Sequence, residues 1–206
     1  MFNHILIKIL HQFIAITPLE WLGTITGLAC VYLAVKQHIL TWPISIISVL
    51  TYFYIFYDAK LYGDAILQLY FFVTALYGWY YWSNGKILAQ KSPKKIVKIT
   101  SKQWLFIFIT WFFLNASAGF LLSKYTDTDV PYLDGLCTIT SFIAQFLMTR
   151  KKLENWLIWI IVDLLYIPLY IHKNLLATAM LYLVFVFIAL KGYLDWKKEM
   201  QKWVIS

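Results

Sequence analysis

Apolar runs of about 17 to 20 residues follow one another along most of this chain, which is typical of helices that cross a lipid bilayer. Hydrophobic residues make up 61% of the sequence and charged residues 14%, whereas soluble domains average about 25% charged residues. A soluble core could not bury this much apolar surface. The sequence therefore predicts an all-α integral membrane protein.

Seven membrane-spanning helices are predicted from the positions of these runs. They cover residues 20–36, 40–57, 63–82, 103–123, 133–149, 155–171 and 175–195. Residues 1–19 are expected to form an interfacial segment, and an eighth span over residues 2–16 is the alternative.

The distribution of lysine and arginine predicts how the chain is oriented. The loop 83–102 contains six lysines and is expected in the cytoplasm, because cytoplasmic loops carry an excess of basic residues. Seven spans then put the N-terminus outside and the tail 197–206 inside, with 14 of the 18 basic residues on the cytoplasmic side. Orientation accounts for the net charge of +8, and nucleic acid is not an expected partner.

The chain contains an internal repeat. When the sequence is shifted by 114 residues, residues 20–82 lie on residues 134–196 without a gap, and twenty of the 63 positions are identical. We call residues 20–82 the first repeat and residues 133–196 the second repeat. Each repeat holds three predicted helices, and the segment 83–132 supplies the basic loop and one linker helix. The extra crossing would make the repeats parallel, which predicts a 3+1+3 arrangement.

Asp163 is the most informative polar residue in a predicted span. A carboxylate that faces lipid at mid-membrane costs about 2.5 kcal/mol or more. Residues that recur every three or four positions share one face of a helix, and Asp163 shares its face with four aromatic residues, namely Trp156, Trp159, Tyr166 and Tyr170. The equivalent stripe in the first repeat contains Trp42 and Tyr52 but has Val49 where the second repeat has the acid.

These residues predict a midplane pocket for a small, flat, cationic or polar ligand, because tryptophan and tyrosine faces attract cations. The candidate substrate-binding residues are Asp163, Trp159, Trp156, Tyr166, Gln68, Gln145, Trp42, Tyr52 and Thr138. The alternative for the glutamines is interhelical hydrogen bonding. For Trp42, Trp82 and Trp196, an interfacial aromatic belt is the favoured interpretation.

Other residues are expected to serve the fold. Gly78 and Gly192 would let helices approach closely, Pro168 would kink the sixth helix, and Asn115 would pack the linker helix. The two cysteines have no metal or redox spacing, and the histidines do not cluster. We therefore expect no catalytic residues, metal or cofactor, and an enzyme is the rival class.

Two long stretches of the chain resemble the PnuC-type vitamin transporters. The motifs are "LYxxxxLQxxFFxxxxYGWYxW" at residues 61–82 and "MTRKxxENWLxWxxxD" at residues 148–163. The resemblance covers about residues 20–196 and implies a fold shared in outline with the SWEET sugar carriers. It also implies that Gln68, Trp156, Trp159 and position 163 bind substrate. Position 163 is Asp here, where some relatives carry Asn.

The resemblance implies uptake of nicotinamide riboside by facilitated diffusion, with trapping by phosphorylation inside the cell. Thiamine transport on the same fold and a substrate-binding subunit of a larger vitamin importer are the alternatives. The expected location is a bacterial inner membrane. Assembly into a homo-oligomer such as a trimer is left open.

Overall fold

The protein is all-helical in the part of the chain that the computed structural model describes, which is residues 10–12, 14–58, 62–87, 95–126, 128–172 and 175–205. Its helices are α1 (Pro18–Val35), α2 (Thr41–Asp58), α3 (Tyr62–Ile87), α4 (Ser101–Tyr125), α5 (Pro131–Thr149), α6 (Asn155–His172) and α7 (Leu176–Ile205). They agree with the seven predicted helices, and α3 and α7 extend beyond the predicted ends. Residues 10–12 and 14 are also helical, but most of the predicted interfacial segment and much of the basic loop lie outside the described residues.

Four of these helices are long and apolar enough to cross a membrane by length and composition. They are α1, α4, α6 and the Leu176–Lys202 part of α7. The other three predicted spans, α2, α3 and α5, do not meet the same criterion within the described residues. The complete arrangement of seven spans therefore stays a prediction.

Local sequence signals explain where two of the helices begin. Thr17 and Glu20 form a capping box at the start of α1, and Thr100 and Gln103 form one at the start of α4. In each box the threonine hydroxyl accepts a hydrogen bond from the backbone N–H of Glu20 or Gln103. The Glu20 or Gln103 side chain accepts one in return from the threonine backbone N–H. These bonds satisfy donors that the first turn of a helix leaves free.

Six helices pack in a closed ring. Around the ring, α1 contacts α2, α2 contacts α3, α3 contacts α5, α5 contacts α6, α6 contacts α7, and α7 returns to α1. Each helix therefore lies opposite its counterpart in the other repeat. Helix α4 packs on α5 outside the ring and exposes large apolar side chains such as Phe106, Phe112 and Phe113. The indole N–H of Trp111 on α4 donates a hydrogen bond to the Thr140 hydroxyl on α5 at 3.0 Å. This bond attaches α4 to α5.

A glycine under a tryptophan ring sets the helix spacing in each repeat. A Cβ at Gly78 would lie 2.4 Å from the Trp42 ring, and a Cβ at Gly192 would lie 2.6 Å from the Trp156 ring. The predicted close approach at both glycines is confirmed. Because only glycine leaves room for the ring, α2 can cross α3, and α6 can cross α7, at these points.

The tryptophan layer, Trp42, Trp82, Trp156 and Trp196, lies at the end of the bundle where α1, α3 and α5 finish. Trp42 meets Trp82 edge-on at 5.1 Å, Trp156 meets Trp196 edge-on at 5.4 Å, and Trp82 lies 6.2 Å from Trp196. All four side chains are buried. The prediction of an interfacial belt was therefore wrong for Trp42, Trp82 and Trp196, since these rings pack against each other and not against lipid headgroups.

The turns that follow α1 and α5 have the same conformation. Gln37 and Lys151, which are equivalent in the repeat, both have a φ of 52°. Two backbone hydrogen bonds close each turn. After α1, the N–H groups of Gln37 and His38 donate to the carbonyls of residues 34 and 33. After α5, the N–H groups of Lys151 and Lys152 donate to the carbonyls of residues 148 and 147. This is the Schellman pattern, in which glycine usually takes the left-handed position.

A short segment just before α4, which we call the strap (residues 96–99), is hydrogen-bonded to the turn that follows α5. The Val97 N–H donates to the Lys151 carbonyl at 3.1 Å, and the Leu153 N–H donates to the Val97 carbonyl at 3.0 Å. The Glu154 carboxylate accepts from the Ile99 N–H at 3.0 Å. Ile96 and Ile99 are buried, so the segment 96–99 is anchored by side chains as well as by its backbone.

Substituting the two crossing glycines should destabilise the protein. Alanine usually stabilises a helix interior relative to glycine by about 1 kcal/mol. At Gly78→Ala and Gly192→Ala we expect a net loss instead, of about 1–3 kcal/mol, because the new methyl group would overlap a buried ring. Thermal unfolding of the purified variants measures the change.

Gly27→Ala is the matched control, because its Cβ would meet only the Ser48 hydroxyl, at 3.3 Å. Its unfolding midpoint should stay close to that of the unmodified protein. Equal midpoints for all three variants would show that the glycine–tryptophan crossings do not set the helix spacing.

Candidate substrate-binding site

The aromatic and acidic stripe predicted on α6 lies on the buried face of that helix. Trp156 is 1% exposed and Asp163 is 4% exposed, while Trp159 and Tyr166 are partly buried. The opposite face is exposed and carries Leu157, Ile161 and Leu164. The structure thus brings four of the predicted site residues together along one side of a single helix.

Asp163 is buried without a basic partner among the described residues. The ion pairs in this part of the chain join Asp129 to His172, Lys191 to Asp195 and Glu199 to Lys202. No described side chain or backbone group forms a hydrogen bond with the Asp163 carboxylate. A buried acid without a structural partner is costly to the fold, so a role outside folding is the physical reason to keep it.

Three indole N–H groups of the ring are buried without a hydrogen-bond acceptor among the described residues. They belong to Trp42, Trp156 and Trp159, all of which are predicted site residues. Buried polar groups in proteins are almost always satisfied by protein or water. The donors of Trp156 and Trp159, which lie on the same face of α6 as Asp163, are therefore available to a ligand that carries hydrogen-bond acceptors.

A cluster of tyrosines extends the aromatic stripe from α6 to α7. Tyr182 lies 4.7 Å from Tyr166 and 5.0 Å from Tyr170, measured between ring centroids. Sequence reasoning missed Tyr182, although it occupies the position equivalent to Gln68 in the repeat, and that equivalence was the signal that could have found it.

The predicted amide and hydroxyl groups lie on two other helices of the ring. Gln145 on α5 is 9% exposed, and Gln68 on α3 and Thr138 on α5 are partly buried. Because α5 packs on both α3 and α6, these polar groups belong to neighbouring walls of the ring. Unlike the α6 residues, they do not share one helix with Asp163.

Tyr52 has structural contacts that account for its position. Its hydroxyl shares a hydrogen bond of 2.9 Å with the Thr24 hydroxyl. A Cβ at Gly23 would lie 3.0 Å from the Tyr52 ring. The first repeat therefore uses this tyrosine to join α2 to α1, which leaves its hydroxyl less available than the indoles of the second repeat.

Asn115 and Pro168 were predicted to serve the fold. The Asn115 side chain donates to the Trp111 carbonyl at 2.8 Å within α4. Helix α6 continues through Pro168 to His172. The described residues contain no group of three or more His, Cys, Asp or Glu side chains that could hold a metal ion.

Comparison with known proteins identifies the family. A model of the nicotinamide mononucleotide transporter family matches residues 17–198. The chain belongs to this family. The predicted resemblance to PnuC-type transporters is thereby confirmed, and the chain is a multi-pass membrane protein of a transporter family.

Individual proteins match this chain over most of their length. The nicotinamide riboside transporter PnuC of Escherichia coli (strain K12) is 30% identical over 201 residues, which cover 86% of this chain and 84% of that protein. The riboflavin/roseoflavin transporter RibM of Streptomyces davaonensis is 26% identical over 178 residues, covering 86% of this chain and 83% of RibM. A crystal structure of the vitamin B3 transporter PnuC has a TM-score of 0.73 and 27% identity, and the match covers 96% of this chain and 90% of that one.

We expect the buried Asp163 side chain to lower the stability of the folded, ligand-free protein. We expect Asp163→Leu to raise the thermal unfolding midpoint of the ligand-free protein, because the substitution removes a buried polar group without a hydrogen-bond partner. Asn155→Leu is the control on the same helix. Asn155 is also buried, but its side chain donates to the Lys152 carbonyl at 2.6 Å, so this change should lower the midpoint. A fall in the midpoint for Asp163→Leu would show that the carboxylate supports the fold.

Proposed function

We propose that this protein takes up nicotinamide riboside across a bacterial inner membrane by facilitated diffusion. The observation that carries the proposal is the buried Asp163 carboxylate, which has no basic partner in the described part of the chain and lies on a stripe of aromatic rings. Family membership and the 30% identical nicotinamide riboside transporter of Escherichia coli support the choice of substrate.

Asp163 gives the site its preference for a cation. Nicotinamide riboside carries a positively charged pyridinium ring joined to a ribose. At an effective dielectric constant of about 20, a carboxylate 4 Å from a positive charge contributes about 4 kcal/mol before the cost of desolvation. The rings of Trp159, Tyr166 and Tyr182 add cation–π attraction, which strengthens away from water.

The uncharged groups of the site match the rest of the substrate. The indole N–H groups of Trp156 and Trp159 would donate to the carboxamide oxygen or to ribose hydroxyls. Gln68, Gln145 and Thr138 would hydrogen-bond the ribose from the neighbouring walls. Such bonds to a ligand would satisfy donors that the empty protein leaves unpaired.

We propose that the helices form the 3+1+3 arrangement, with α4 as the linker. Two features support it: α2 and α6 begin 114 residues apart, as do α3 and α7, and the ring places each helix opposite its equivalent. The basic residues between α3 and α4 support a cytoplasmic position for that end of the bundle. The N-terminus would then lie outside and the C-terminus inside.

Transport would follow the concentration gradient by rocking of the two three-helix bundles around the site. The sequence contains neither GxxxxGK[ST] nor GxGxxG, so nothing in it indicates direct use of a nucleotide. Phosphorylation of the vitamin by a separate cellular enzyme would keep the product inside, because the product gains negative charge. A protein that transports in this way needs no partner ATPase, whereas the substrate-binding subunit of a larger vitamin importer does.

Thiamine is the second candidate substrate. It shares the feature that Asp163 recognises, a positively charged aromatic ring. RibM shows that a relative of this chain carries a different vitamin. A carboxylate at position 163 favours a cationic ring over a neutral one, so we rank riboflavin below both nicotinamide riboside and thiamine for this chain.

Uptake into liposomes tests the proposal directly. Purified protein without any energy source should equilibrate nicotinamide riboside across the membrane, and the rate should exceed that for thiamine. Faster thiamine flux would support the second candidate, and flux that depends on an added ATPase and ATP would support the binding subunit. Downhill flux of neither vitamin would refute the assignment.

Removal of the acid should weaken binding of the cation. We expect Asp163→Ala and Asp163→Asn to raise the Kd for nicotinamide riboside at least about tenfold, because both lose the charge attraction. Isothermal titration of the purified protein measures the Kd. Asn115→Ala, on the linker helix, should change it less than twofold, and equal effects at the two positions would place the site elsewhere.

A further inference from the structure

The tryptophan layer joins the two repeats at one end of the bundle. The Trp82 indole on α3 donates to the Thr149 carbonyl at 3.0 Å. The Trp196 indole on α7 donates to the Ala34 and Val35 carbonyls at 3.2 and 3.1 Å. Trp82 and Trp196 are equivalent in the repeat, and so are Val35 and Thr149, so these bonds are two copies of one interaction.

Each bond joins two residues that are more than 60 positions apart in the sequence. The acceptors are carbonyls at the C-terminal ends of α1 and α5, where a helix has no intrahelical donors left. The bonds therefore supply donors that neither helix can supply from its own backbone. Their effect is to fasten the end of one repeat to the end of the other.

A second contact crosses the bundle at the same level. The Lys151 ammonium donates to the Gln37 side-chain oxygen at 3.0 Å and lies 4.4 Å from the centre of the Trp82 ring. Both residues are held in the left-handed conformation, which costs roughly 1–2 kcal/mol for a residue other than glycine. Glycine would remove that strain but would also remove the side chains that make this contact.

The opposing helices meet at this layer. Among the described residues, α3 and α7 are not neighbours in the ring, nor are α1 and α5. Trp82 and Trp196 nevertheless lie 6.2 Å apart, and Lys151 reaches Gln37. The side chains of the layer therefore span the middle of the ring, where a transported molecule would have to pass.

We propose that Trp82, Trp196 and Lys151 are the gate residues that close this end of the transport pathway. The inference rests on the proposed function, since a gate has meaning only in a transporter. Opening separates the two repeats and breaks both indole bonds together with the Lys151–Gln37 bond. All three bonds join the first repeat to the second repeat, so they break together. The layer therefore has one closed and one open arrangement.

A single-cysteine reporter tests the gate without any vitamin. Ser45 is buried on α2, one turn beyond Trp42, and the reporter chain carries Ser45→Cys, Cys30→Ser and Cys137→Ala. The probe is a membrane-impermeant maleimide added to vesicles of known orientation. It is applied separately on the side where α3 ends and on the opposite side.

Loss of one indole donor should raise the labelling rate on one side only. In Trp82→Phe and in Trp196→Phe we expect labelling from the side where α3 ends to become about fivefold faster, which is the effect of losing one hydrogen bond. Labelling from the opposite side should not rise. A loosened fold would instead raise labelling from both sides, and that result would overturn the proposal.

Two further variants complete the experiment. Trp79→Phe is the control on α3, because the Trp79 side chain is 41% exposed and its indole has no hydrogen bond among the described residues. Its labelling rate should match that of the reporter chain. If the tryptophan variants fail to fold, Lys151→Gln replaces the lysine with its repeat equivalent and should also speed labelling on the α3 side. Rates equal to the Trp79→Phe control in every gate variant would exclude a gate at this layer.

A failed gate and a failed substrate assignment give different results. The labelling rates depend only on access to the reporter cysteine. Lack of nicotinamide riboside and thiamine flux in liposomes would refute the proposed function while the labelling rates could still change on one side. Normal flux with unchanged labelling would refute the gate alone.

Discussion

The fit of a tryptophan ring over a glycine is the contact on which the rest of this structure depends. Gly78 admits the Trp42 ring and Gly192 admits the Trp156 ring, so the second and third helices of each repeat cross at close range. Trp156 is also the first residue of the stripe that leads to Asp163. The contact that sets the helix spacing therefore also sets the depth and direction of the candidate site.

The sequence predicted the elements well because their signals are local. Apolar runs marked all seven helices, and the ungapped alignment at an offset of 114 residues marked the repeat. The burial of Asp163 followed from the cost of a carboxylate facing lipid. These predictions needed no knowledge of which helix packs on which.

The errors and omissions all concern contacts between distant parts of the chain. A tryptophan near a helix end suits both an aromatic belt and a buried layer, and only the neighbouring helix decides between them. Trp82 and Trp196 are buried because each meets carbonyls of the other repeat. The Lys151–Gln37 contact was missed for the same reason, although its two residues are equivalent in the alignment.

The repeats keep one scaffold but differ where chemistry is expected. Shared residues include the crossing glycines and all four members of the tryptophan layer. Among the positions that differ are four pairs assigned to the site or to the tryptophan layer, namely Val49 and Asp163, Ser45 and Trp159, Gln68 and Tyr182, and Gln37 and Lys151. A ligand with one charged ring and one sugar is itself asymmetric, so two identical repeats could not contact both of its parts with suited groups.

The strap at residues 96–99 attaches the two repeats unequally to the linker helix. It pairs with the turn after α5 through Val97, whereas the turn after α1 has no such bridge among the described residues. The second repeat is thereby attached to the linker helix through backbone and side-chain hydrogen bonds. In the proposed rocking of the two bundles, the first repeat would move relative to a second repeat that stays attached to the linker helix.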